Sequence, residues 1–280
     1  MPMEEVPIES PDGARARARL FLPAGPAQAA LAWMPAMGVA ARAYDAFGAG
    51  LAARGVATLV SELRGGESSD VRPRRGVDFG LGELVDDHAR AMALLSARVP
   101  GVPLHVGGHS LGGQLAVVHF AARVPEGTKL VLVASGTVHW RAWGFPHNVG
   151  VLLGTQVAAG VAKALDWFPG HRLGFGGRQP RRLIEDWAHA SRTGAYRTRL
   201  HALETGLAEV TPELLAVHVE GDTLAPHEAT RRLVAKLPSA RVRHVTAAPP
   251  AEPRRLHPHF RWTKGPDAVV AEVARFLLGA

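Results

Sequence analysis

The chain has 280 residues, 47% of them apolar and 20% charged. That is enough for one large α/β domain or two small ones, and it excludes global disorder. There is no cysteine, which rules out disulfides, thiolate metal sites and a cysteine nucleophile. The formal net charge is +7, carried almost wholly by small scattered groups of arginines, with only Lys129, Lys163, Lys236 and Lys264 as lysines. Without a concentrated basic run or a recognisable module, this charge reads as a solvated surface rather than a nucleic-acid interface.

Residues 1–13 are acidic and polar and lack an apolar core segment, so no secretory signal is expected. The turn Pro11-Asp12-Gly13 joins a strand over residues 6–9 to one over 14–22, where Arg alternates with Ala and Leu as on a half-buried edge. Residues 29–34 form a continuous apolar run, as a central parallel strand does. A helix follows around 42–54, then a strand over 56–60. Residues 82–97 carry Leu84, Val85, His88, Met92 and Leu95 at helical spacing. A strand over 103–107, a helix over 111–124 and a strand over 129–134 complete the first half. Later come a strand over 214–219, a helix over 227–237, a strand over 241–245 and a closing helix over 266–278. Such alternation predicts a mostly parallel sheet with helices on both faces.

The rhythm breaks once. Between residues 136 and 212 no strand is expected, and four of the six tryptophans (Trp140, Trp143, Trp167 and Trp187) fall there with Phe145, Phe168 and Phe175. This segment reads as a helical cap inserted between two parts of a core domain, 1–135 and 213–280. Its most membrane-like stretch, 149–162, is interrupted by Thr155 and Gln156 and falls short of the roughly 20 residues a bilayer requires. No membrane span is expected, and the chain reads as soluble and cytoplasmic.

Gly107-Gly108-His109-Ser110-Leu111-Gly112-Gly113 contains G-x-S-x-G directly after an apolar strand and at the start of a helix, the context this motif requires. A serine on so tight a turn is held in strained backbone geometry, and its neighbours two positions away must lack side chains. The helix N-terminus behind Ser110 offers free N–H groups to a developing oxyanion. Serine needs a base, and the base needs an orienting carboxylate. In the chain order Ser, acid, His, the acid follows a late strand: Asp222 lies just past 214–219, whereas Glu220 is expected on the strand itself. The base comes after the last strand, from Leu256-His257-Pro258-His259-Phe260. His259 is favoured over His257 because it leads directly into the Phe260/Trp262 run; His244 falls inside a strand. Oxyanion donors are expected from the N–H groups of Leu111 and Met37, each worth on the order of 3 kcal/mol of barrier. No His/Asp cluster or H-E-x-x-H suggests a metal.

These residues resemble the α/β-hydrolase superfamily almost end to end. More narrowly, the chain is similar to a bacterial group of poorly characterised predicted serine α/β hydrolases. The likeness is carried by Met34-Pro35-Ala36-Met37-Gly38-Val39, by the Gly108–Gln114 segment, by residues 174–187 and by His259-Phe260-Arg261-Trp262. The resemblance implies an eight-stranded sheet, a Ser–His–Asp triad and hydrolysis without a cofactor. Pro35-Ala36 replaces the frequent His-Gly of the oxyanion loop. Glu62-Leu63-Arg64-Gly65-Gly66-Glu67-Ser68 is a shortened form of D-x-R-G-x-G-x-S, and no role is carried over to it. Ser110 sets the chain apart from relatives with an aspartate nucleophile.

The sequence thus leads to a serine hydrolase acting on a small ester or thioester with an apolar acyl group. Acyl transfer on the same triad and a non-catalytic ligand-binding protein of this fold are the alternatives. The sequence does not set an oligomeric state.

Overall fold

In the computed structural model, residues 3–197, 204 and 206–279 are described. Positions 1, 2, 198–203, 205 and 280 lie outside, and with them part of the expected 136–212 insertion. The N-terminal hairpin pairs β1 (Met3–Glu9) with β2 (Arg15–Phe21) in antiparallel register, Val6 opposite Ala18. Then come β3 (Ala29–Met34), α1 (Asp45–Ala52), β4 (Val56–Val60) and α2 (Leu81–Arg98). They are followed by β5 (Leu104–His109), α3 (Leu111–Arg123) and β6 (Leu130–Val133). The inserted segment holds α4 (His147–Leu165), β7 (Trp167–Phe168), β8 (Gln179–Pro180) and α5 (Arg181–Thr193). The chain closes with β9 (Glu213–Val219), α6 (His227–Val234), β10 (Arg241–Ala247), α7 (Pro258–Arg261) and α8 (Asp267–Leu278).

Eight strands form one sheet in the order β1-β2-β4-β3-β5-β6-β9-β10. Only the β1·β2 and β2·β4 pairings are antiparallel; the other pairings are parallel. Parallel neighbours need crossover helices, so both faces of the sheet are covered and its central strands are largely apolar. Every residue of β3, β4 and β6 is buried. One face packs Leu84, Leu95, Leu115 and Val118 of α2 and α3; the other packs Phe47 and Leu51 of α1 against Val273 and Leu277 of α8. The C-terminal ends of β3, β5 and β9 lie along one edge, where open α/β sheets place their sites.

The structure departs from the sequence reading in three places. β7 and β8 form a two-residue antiparallel ladder where no strand was expected, each too short to show a period. α4 (His147–Leu165) spans 19 residues and extends past both ends of the 149–162 stretch that was read as too short for a bilayer, since it begins directly after Pro146 and continues through Lys163 to Leu165. By length and composition it is apolar enough to cross a membrane, with a mean hydropathy of 1.3, and 17% of its window is buried. Its inward side packs on α5, where Thr155 Oγ1 donates to Ser191 Oγ and Gln156 Nε2 to the Ala188 carbonyl, both at 2.9 Å. Finally, β9 ends at Val219, so Glu220 stands in the following turn, exposed, and not on the strand.

Candidate active site

β5 delivers the chain to Ser110, and α3 starts one residue later. Ser110 has φ 54° and ψ −116°, a conformation that L residues seldom adopt and that costs about 1–3 kcal/mol. The surrounding sequence makes the bend possible. A Cβ on Gly108 would collide with the backbone of Gly112, and one on Gly112 with the carbonyls of Met34 and Pro35. The bend is fastened from below by Ser135, whose hydroxyl donates to the Ser110 carbonyl at 2.7 Å.

The expected acid and base are in contact. Asp222 lies three residues past β9 and His259 within α7; His259 Nδ1 and Asp222 Oδ2 are 2.7 Å apart, with both side chains buried. The carboxylate is held from its other side as well. Its Oδ1 accepts from the N–H groups of Leu224 (2.8 Å) and Ala225 (3.1 Å). His257 sits outside this pair: its Nδ1 accepts from the His259 amide and its Nε2 lies 3.1 Å from Thr223 Oγ1. His244 is on β10, 3.0 Å from Nε2 of His218.

Ser110, His259, Met37 and Leu111 line one cavity of about 360 Å³. Its other walls are mainly apolar and include Trp143, Val151, Ala158, Phe168, Phe175 and Trp187. All six come from the inserted segment. Among the described residues, neither Met37 nor Leu111 donates its amide in the turn and loop hydrogen bonds. Leu111, as the first residue of α3, has no intrahelical acceptor.

One element escaped the sequence reading. The buried Tyr44 accepts from the Ala36 amide at 2.9 Å, and its hydroxyl lies 2.8 Å from His109 Nδ1. Having accepted from an amide, that hydroxyl has its own proton for His109. Burial drives the Tyr44 phenol upward and the His109 imidazole well below its ordinary range, so both are neutral. Tyr44 therefore ties the loop after β3 to the residue preceding Ser110. Nothing periodic in the sequence links position 44 to 36 and 109.

A second cavity, of about 740 Å³, adjoins the first and shares Met37, Leu111 and Phe260 with it. The partition is built from glycine. A Cβ on Gly38 (φ +72°) would run into the backbone of Gly176 and Gly177 at 2.5–2.6 Å. Glu62, from the segment to which no role was carried over, lines this second cavity. Burial raises its carboxyl to about 7, despite amide hydrogen bonds from Ala41 and Ser68.

An eight-stranded sheet of this order, with a serine on a strained strand-to-helix turn and a His–Asp pair arriving from later loops, defines an α/β hydrolase. The chain belongs to the serine aminopeptidase S33 family, whose model matches residues 25–248. Solved structures with the same fold include a hydrolase from Pseudomonas aeruginosa PA01, 22% identical over 99% of each chain with a TM-score of 0.58. A soluble variant of monoglyceride lipase from Saccharomyces cerevisiae is 14% identical over 99% of this chain and 96% of its own, with a TM-score of 0.72. The thioesterase domain from the curacin biosynthetic pathway is 15% identical over the full length of both chains, with a TM-score of 0.59. Among curated proteins no match was found.

Proposed function

We propose that this α/β hydrolase is a serine hydrolase that cleaves a carboxylic ester or thioester whose acyl group is largely apolar. One observation carries the reading: a serine on a strained elbow shares a cavity with an imidazole already held by a buried carboxylate. In the acylation step Ser110 Oγ bonds to the substrate carbonyl carbon. His259 takes the hydroxyl proton and returns it to the departing alcohol or thiol as the bond to that group breaks. Water then adds to the acyl-enzyme by the same route, releasing the acid and restoring the serine. Asp222 fixes the imidazole through Nδ1, leaving Nε2 for proton transfer. The Met37 and Leu111 amides receive the oxyanion of each tetrahedral intermediate. The aromatic and aliphatic walls contributed by residues 136–212, acting as a cap, hold the acyl chain.

Labelling with a fluorophosphonate, with and without Ser110→Ala, tests the nucleophile. Wild type labels and the variant does not; equal labelling of the two overturns the assignment. Turnover of nitrophenyl esters of increasing acyl length then reports the acyl pocket, and should rise with length before falling. Tight binding of these esters without turnover would instead indicate a ligand-binding protein.

A further inference from the structure

The second cavity has a composition unlike the first. Arg42, Arg64, Arg72, Arg178 and Lys264 line it, against the carboxylates of Glu62 and Glu67. Several of these cations are committed elsewhere. Arg64 is buried on Asp12 and Asp87, Arg42 pairs with Glu67 at 2.6 Å, and Arg72 donates to the Gly66 and Glu67 carbonyls. Arg178 and Lys264 have no carboxylate partner among the described residues. The Arg178 guanidinium instead lies 4.4 Å from the centre of the Trp167 ring, which holds it at the cavity wall.

Position gives this chamber its meaning. It meets the apolar cavity across Met37, Leu111 and Phe260, and so flanks the two residues whose amides are proposed to receive the oxyanion and the residue after His259. A substrate carbonyl seated there has its acyl chain in the apolar cavity. The remainder of the molecule must leave on another side, and the polar chamber is the adjoining space. About 740 Å³ is room for a group larger than a simple alcohol. A cleft lined by excess positive charge concentrates anions, and guanidinium groups match phosphate oxygens in paired hydrogen bonds.

We infer that the second chamber receives the leaving group, and that this leaving group is a phosphorylated alcohol or thiol. The inference rests on the serine-hydrolase reading of Ser110. The bond broken is the acyl C–O or C–S bond; the alcohol or thiol departs with the proton delivered by His259, and its phosphate esters stay intact.

The test compares matched substrates with one acyl group. Octanoyl-CoA is set against octanoyl-N-acetylcysteamine, and octanoyl glycerol phosphate against octanoyl glycerol, so that the thiol and alcohol sources are read separately. The expected result is a kcat/KM at least about tenfold higher for the phosphorylated member of one pair, shrinking as salt is added. In Arg178→Gln/Lys264→Gln that ratio falls towards one, and in Arg178→Lys it is largely retained. A ratio near one in both pairs overturns the proposal. So does a ratio that the double variant leaves unchanged, or an equal preference for a thioester of the carboxylate-bearing thioglycolate. Nitrophenyl octanoate separates the two levels of inference. If it is turned over and lost in Ser110→Ala while the ratios stay near one, only the leaving-group assignment fails. If neither it nor any paired substrate is turned over, the serine-hydrolase reading fails and takes this one with it.

Discussion

The two cavities beside Ser110 are opposite in chemistry and built by different parts of the chain. The apolar side is walled mainly by Trp, Phe, Val and Ala side chains of the segment between β6 and β9. The polar side is walled mainly by loops after β3 and β4 and by the segment around α7, with Arg178 at its rim. On the proposed reading this division distributes specificity: the segment between β6 and β9 bounds the acyl group, while the loops after β3 and β4, the α7 segment and Arg178 bound what it is attached to. The glycine contact between Gly38 and Gly176–Gly177 keeps the two environments apart.

Four substitutions probe that division, beginning with the one that acts on both sides alike. Asp222→Asn should lower kcat by about 10⁴ for neutral and phosphorylated substrates together, because the imidazole loses its orienting carboxylate. A large loss for one substrate class alone would mean that the two cavities do not serve one centre. Gly38→Ala attacks the partition. A left-handed backbone and a collision with the Gly176–Gly177 peptide should cost more than about 2 kcal/mol in a denaturant titration, and should raise KM for both substrate classes. Unchanged stability would show that the two loops separate easily.

Tyr44→Phe acts on the loop that presents Met37. It removes the partner of the Ala36 amide and of His109 Nδ1, at about 1–3 kcal/mol of stability. We expect kcat to fall about tenfold with KM little changed, since the loss is felt at the oxyanion rather than in either cavity. A KM effect without a kcat effect would place Tyr44 in packing alone.

Glu62→Gln touches only the polar side. The carboxyl, raised to about 7 by burial, carries its charge above that pH and sheds it below. Glu67 and Arg72 act on it most directly, and Arg42, Arg64, Arg178 and Lys264 line the same cavity. Lowering the pH from 8 to 6 should therefore raise the preference for a phosphorylated substrate by roughly threefold in wild type, and the variant should show a flatter profile. Stability follows the same group. Its folded value lies above the ordinary 4.5, so its favourable contribution is complete below 4.5 and is lost as the pH rises through about 7. The variant should lose that slope.

Much of the centre was legible in the sequence because each piece sits where a periodic pattern changes. Ser110 marks the switch from strand to helix. Asp222 follows the end of a strand that contains no other acid after its first residue, and its separation from Glu220 required only knowing where β9 stops. His259 and His257 differ by two residues, and only His259 has an imidazole hydrogen-bonded to Asp222. The second chamber was not legible. Its walls come mainly from residues 37–43, 62–72, 177–179 and 256–264, with Leu84, Leu111 and Leu183, and no local spacing in any of them signals a shared cavity. The Tyr44 link was hidden for the same reason, and β7 and β8 because two residues cannot display alternation.

The backbone at Ser110 carries one more implication. Its φ of 54° is tolerable for a residue without a side chain and unfavourable for serine. Ser110→Gly should therefore give a protein that cannot react yet melts at a higher temperature, by roughly 1 kcal/mol of added stability. Thermal robustness and reactivity then pull on the same residue in opposite directions, so selection for heat resistance alone would tend to erase the chemistry.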